Sequence, residues 1–314
     1  MKRPSPSRFV PRSFVPSPSA CASALVLAAF VASLATSPAS AADGAFVVTG
    51  VGELRTSYVR FSDPDGDVLE PGESHHLWSV GAGGSVDVAI GAVHVQADFG
   101  GDTVPRRSNA DDTVEGSYVG GLHVGVRDPE RGAIGLFGSA GKISIRDQGA
   151  GDAGSVPWSI GLEGAAFFDR ATTVLQGGYV DRDSLPDSDP DALKNASFVR
   201  TELRLFPRDD VRLAGSIGLM RGRMDADDDA VYAIDWSAGA EGLIPGAPVS
   251  GFLRYAGAYF DQSDDNDVLV DHRIVFGLRY YFGTTSLIAH DRNGASFELP
   301  RTMEWNSVIA GPLE

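Results

Sequence analysis

The side chains from which a reaction could be built are few. The sequence has six histidines and one cysteine. A serine hydrolase carried on a strand needs His and Ser two residues apart, so that both lie on one face. None of His75, His76, His94, His123, His272 and His290 is followed by Ser at that spacing. Asp271 and His272 are adjacent, which in a strand sends them to opposite faces. No zinc spacing and no phosphate-binding glycine motif is present. These residues predict no enzyme and no cofactor.

Acid is abundant. The chain holds 42 Asp and Glu against 26 Lys and Arg. Asp63, Asp65 and Asp67 alternate with Pro64 and Gly66, and Asp225 to Asp229 form a second run. Calcium prefers such clustered carboxylates and carbonyls, although neither run has the spacing or terminal Glu of an EF-hand. Solvated loops that repel one another are the other reading of these residues.

A third set of charges recurs at every second position. Glu53, Asp87, Asp98, Glu163, Arg200, Glu202, Arg204, Arg212, Asp235, Glu241, Arg254, Arg273 and Arg279 fall on the polar side of alternating segments. Alternation of this kind is strand periodicity. From His76 to Ile90 the even positions are mostly apolar and aromatic, and the odd ones mostly small or polar. The same split recurs at 93–100, 117–127, 158–168, 197–206, 231–244 and 270–282. It is less clean at 45–61, 172–181, 211–220 and 249–260, and weakest at 134–145. Together they predict twelve strands.

The connections are expected to alternate between long (62–74, 102–115, 146–157, 181–194, 221–230, 261–270) and short. With 261–271 for the last, the long set carries 25 acids and 7 bases. On the oily face, charges such as Arg60, Lys142 and Asp181 fall near strand ends. Aromatic residues there sort into two groups by depth. Tyr58, Trp78, Phe99, Tyr118, Trp158, Tyr179, Tyr232 and Tyr259 lie toward the long loops, with Phe46, Phe168, Tyr280 and Phe282 toward the short turns. Two girdles, long loops on one end and short turns on the other are the marks of a closed barrel in a bilayer.

The ends agree with export. Lys2, Arg3, Arg8 and Arg12 precede an uncharged small and apolar run from Ala20 to Leu34, and Ala39-Ser40-Ala41 follows. That is the three-part pattern of a signal peptide, 1–41. Those residues hold four of the bases, none of the acids and the only cysteine, so the remainder carries a formal −20. Residues 42–282 are then the barrel and 283–314 a periplasmic tail, which docks on the barrel mouth or hangs free.

Gly277-Leu278-Arg279-Tyr280-Tyr281-Phe282 resembles the glycine–aromatic assembly signal on the last strand of bacterial outer-membrane proteins, with Gly277, Tyr280 and Phe282 at its defining positions. Val275 stands where that pattern has a polar residue. Over 45–282 the chain resembles the porin-like superfamily. The resemblance implies insertion by the outer-membrane assembly machinery and residence in a Gram-negative outer membrane. Long loops would be extracellular and both termini periplasmic, with bilayer lipids and small solutes as partners and no nucleic acid. The expected function is a narrow passive channel lined by the inward charges. A plugged structural or adhesive barrel is the alternative, and an outer-membrane hydrolase a second.

Overall fold

The computed structural model describes residues 46–62, 74–103, 112–147, 151–184, 193–224, 230–262 and 267–300. Twelve antiparallel strands run β1 (Val47–Ser62), β2 (Ser74–Ile90), β3 (Val93–Thr103), β4 (Asp112–Asp128), β5 (Gly132–Asp147) and β6 (Gly151–Phe168). They continue through β7 (Ala171–Ser184), β8 (Leu193–Arg208), β9 (Val211–Met224), β10 (Ala230–Leu243), β11 (Val249–Gln262) and β12 (Asp267–Phe282). Each strand pairs with its sequence neighbours, and β1 pairs with β12, from Gly50 opposite Phe282 to Ser62 opposite Val270. Closure leaves no edge strand, so every ladder finds a partner without water.

The alternation resolves as the sequence predicts. Leu54, Leu122, Leu136, Ile160, Leu162 and Leu278 are all more than half exposed on the outer wall. So continuous an apolar exterior is far beyond what a soluble monomer presents and matches the lipid-facing band of a transmembrane barrel. Toward the long-loop end the outer aromatics pair across strands. The Tyr58 and Trp78 rings lie 5.0 Å apart, and those of Trp158 and Tyr179 6.0 Å.

One connection departs from expectation. The loop placed at 146–157 is mostly strand, because β5 and β6 stay paired out to Asp147 opposite Gly151. Pro157 hides this in the sequence, since proline within a run argues against strand. Here it is buried in β6 opposite Arg182. Asp63, Asp65 and Asp67, and the run 225–229, lie outside the described residues, as does the signal-peptide segment.

After Phe282 the chain turns inward. Gly283 has φ +76, and a Cβ there would press on Thr49, so this turn from wall to mouth requires glycine. A short helix follows, α1 (Leu287–Asn293). The Ser286 hydroxyl caps it by accepting from the Ala289 N–H at 3.1 Å, and the Gly294 N–H closes it on the His290 carbonyl.

Candidate functional site in the barrel lumen

All thirteen inward charges expected from the sequence lie on the interior wall. Asp87, Asp98, Glu163, Arg200, Glu202, Arg204, Asp235 and Glu241 are buried, and Glu53, Arg212, Arg254, Arg273 and Arg279 are half-buried. Most join networks of paired charges. Glu241 accepts from Arg212 at 2.6 Å, Arg279 at 2.9 Å, Ser250 at 2.5 Å and Tyr281 at 2.5 Å. Arg279 also reaches Glu53 at 2.7 Å, and Arg55 bridges Glu53 at 2.9 Å to Asp102 at 2.5 Å. Arg204 holds Glu202 at 2.7 Å, with Arg200 at 3.6 Å from the same carboxylate. On the facing wall His123 lies between Asp98 at 2.6 Å and Glu163 at 2.8 Å, while His94 meets Asp87 at 2.8 Å.

Sequence reading missed Arg55 and Asp102. Arg55 sits in one of the less clean segments, and Asp102 was assigned to a loop. Register supplies the missing signal, because Arg55 pairs with Gly81 and Gly81 with Asp102. The absent side chain on Gly81 lets the two charges meet across it.

The larger omission is the tail. From the stretch expected as a periplasmic tail, residues up to Pro300 are described, and they dock far inside the mouth. α1 is held at the short-turn end. The Leu287 N–H donates to the Asp209 carbonyl at 2.9 Å, and Leu287 packs with Phe206 and Tyr281. Asp291 meets Arg204 at 2.9 Å and the Thr172 hydroxyl at 2.5 Å. Arg292 lies over the Phe167 ring at 4.7 Å and donates to the Phe168 carbonyl.

Beyond α1 the chain climbs the lumen in extended form along β4. Arg127 donates to the Gly294 carbonyl, and Arg204 to that of Ser296 at 2.8 Å. Gln96 grips Phe297 twice, donating to its carbonyl at 2.6 Å and accepting from its N–H at 3.3 Å. Gln176 donates to the Glu298 carbonyl at 2.8 Å. The Phe297 ring stacks on His123, 6.0 Å between centroids and 10° between planes, with the Arg127 guanidinium 5.5 Å from its centre. Leu299 lies against Gly121.

Above this segment the lumen divides. On one side inward apolar residues close up, with Val59, Val180, Phe198, Met220, Ala233 and Phe260 in one buried cluster. On the other a cavity of about 270 Å³ remains between Arg254, Arg273 and Arg279, the glycine-rich walls of β2 and β3, and Leu299-Pro300 below. Among the described residues no group of His, Cys, Asp and Glu is arranged to hold a metal ion. Of the assembly-signal residues, Tyr280 faces outward, Phe282 ends β12, and Gly277 leaves room for the Phe252 ring.

No protein-family model and no curated protein matches the sequence. Solved structures similar to it include the translocator domain of the autotransporter NalP from Neisseria meningitidis, at 14% identity and TM-score 0.48, covering 84% of this chain and 96% of that one. An outer membrane channel (COG4313) from Pseudomonas putida F1 aligns at 11% identity and TM-score 0.47, covering 78% of this chain and 100% of that one. The NanC porin aligns at 9% identity and TM-score 0.44, covering 72% and 98%. The closed ladder, the apolar exterior and the charged interior make this chain a twelve-stranded β-barrel of the outer-membrane type.

Proposed function

We propose that this protein is an outer-membrane barrel that stands closed at rest, stoppered by its own C-terminal segment, and passes small polar solutes when that segment leaves. The observation that carries the reading is the path of residues 294–300, whose main chain is bonded by inward side chains from β3, β4, β7 and β8. An open porin has no need of such contacts. The apolar exterior supports residence in a bilayer, and the resemblance of the last strand to the assembly signal supports insertion by the outer-membrane machinery. Acidic loops at one end and short turns at the other support an orientation with the loops outside.

Conductance across a planar bilayer tests this. The refolded full-length chain is expected to be silent. The same chain with a protease site inserted between Thr284 and Thr285, folded first and then cut and washed, is expected to conduct in discrete steps. Free conductance by the uncut chain would restore the open-channel reading. Silence after cutting, with the tail gone, favours a second reading, a permanently plugged scaffold presenting its acidic loops. The observation on that side is the apolar cluster above the tail, whose inward residues bury one another without any contribution from residues 287–300.

A further inference from the structure

The way the wall holds residues 294–300 is not how a barrel fills space with its own side chains. Four side chains from four strands address the main chain of the segment, at the carbonyls of Gly294, Ser296, Phe297 and Glu298 and the N–H of Phe297. Bonds to main-chain groups read an extended backbone, whatever its sequence, as strand-addition sites do. Sequence preference is added by three neighbouring subsites. The Phe297 ring lies against the His123 ring and the Arg127 guanidinium. The Glu298 carboxylate sits in the combined field of Arg279, Arg204, Arg200 and Arg212. Leu299 fills the space left bare by Gly121, where a Cβ would collide with it.

We propose that the lower lumen is a peptide-binding groove for an extended aromatic–acidic–aliphatic segment, and that residues 294–300 are its resident ligand, bound in cis. The inference rests on the reading that this segment can leave, and it extends that reading from a stopper to a recognition site. The groove then accepts a peptide of the same pattern from another chain, entering through the short-turn mouth.

Chemistry favours this over simple packing. Gln96 bonds the Phe297 main chain through both its amide oxygen and its amide nitrogen, while its nitrogen also donates to Asp98 at 2.8 Å. Asp98 and Glu163 are in turn bonded to His123. The clamp is therefore fixed in orientation before the peptide arrives, which lowers the cost of binding. Its polar atoms would be left unmatched by an apolar filler.

The test uses the full-length chain with the protease site between Thr284 and Thr285, folded and then cut. A fluorescent synthetic peptide spanning Ser286–Pro300 is titrated into the cut, washed barrel, and the same preparation is read for conductance. Saturable binding at one peptide per barrel is expected. Peptides carrying Phe297→Ala or Glu298→Gln should bind at least roughly tenfold more weakly, since each loses a stacked or charge-matched contact. Because those changes are in the peptide, they cannot disturb folding of the barrel. Co-elution of the cut tail with the barrel, displaced by excess unlabelled peptide, counts as the same binding. Absence of saturable binding, or equal binding of a peptide with reversed sequence, overturns the proposal. Binding without any gain in conductance on cutting leaves the groove standing and removes the closure reading. Conductance without binding does the reverse.

Discussion

The two halves of the lumen are built on opposite principles. Toward the short turns the wall is a lattice of paired charges with the tail threaded through it. Toward the long loops the inward positions of β7 to β11 are Val180, Ala196, Phe198, Met220, Ala233, Ala258 and Phe260, which pack on one another. Each half solves the same problem, how to occupy the interior of a barrel too wide to be filled by ordinary side chains and too narrow for an obviously open pore. The apolar half is closed by dispersion and desolvation and has one way to be. The polar half is closed by bonds that a change of partner can satisfy equally well. On the proposed reading, that contrast makes the lower half the part that moves.

The sharpest way to break the comparison is Arg204, which joins Glu202, Asp291 and the Ser296 carbonyl. Arg204→Met takes from two buried carboxylates their nearest cation, leaving Arg200 at 3.6 Å from Glu202 and Arg292 at 3.7 Å from Asp291, and removing one partner of a buried pair costs roughly 3–5 kcal/mol. The urea midpoint of the heat-modifiable form should fall accordingly, and the tail should become accessible to protease. Adding Asp291→Asn should recover part of the loss. Equal losses in the single and double variants would mean that the two groups do not interact.

The complementary change is Phe198→Ala in the apolar half. Truncating a buried Phe costs about 3–5 kcal/mol where the site cannot collapse, and the low end is expected in a lumen that can adjust. Stability should drop while the tail stays protected, because Phe198 packs on Phe137 and other wall residues, the two rings 6.3 Å apart. Tail release in Phe198→Ala would show that the halves are one cooperative unit. Outside the lumen, Leu54→Arg puts a charge in the middle of β1 on the lipid face. It should cost about 2–4 kcal/mol if Leu54 lies at the bilayer midplane. A neutral result in liposomes would place the belt elsewhere.

What the sequence discloses follows the same division. Outer-face residues such as Leu54, Ile160 and Leu278 are legible because lipid demands oil at every second position along a strand. Parity then places Arg204, Glu241 and Arg279 inside without knowledge of their partners. Their pairing is not legible, since it depends on register, as between Arg55, Gly81 and Asp102. The tail is the least legible. Its main chain is what the barrel binds, so residues 294–300 need carry no periodicity, and Gln96 and Gln176 look like ordinary polar strand positions. Pro157 misleads in the other direction, suggesting a break where the ladder continues.

The smallest effect expected is one of pH, and it concerns α1, the hinge between the wall and the threaded segment. His290 is buried against Tyr281, their rings 4.8 Å apart, and its Nε2 bonds the Ala295 carbonyl at 3.0 Å. Nδ1 has no hydrogen-bond partner among the described residues, so the seated ring is the neutral tautomer with its proton on Nε2. Burial, reinforced by Arg212, outweighs the Ala295 bond and the nearby Glu241 and Asp291 carboxylates and pushes its pKa down to about 4. Released into water, the ring returns to about 6.5. Between those values the released tail binds a proton that the seated tail does not. Seating is therefore unaffected above about pH 6.5 and weakens as the pH falls toward 4. At pH 5 the penalty is about 2 kcal/mol, some thirtyfold in the seated-to-released ratio. Asp291 acts in a separate, lower window. Burial raises its pKa, but Arg204 and the Thr172 hydroxyl overcome this and hold it below the usual carboxylate value, so its contribution is lost only in stronger acid. Protease accessibility of an engineered site at Thr284–Thr285, followed from pH 7 to pH 5, should rise in the parent chain. In His290→Gln, which carries no titrating group there, it should stay flat across that interval. The same rise in both proteins would move the acid sensitivity from the hinge to the lattice around it.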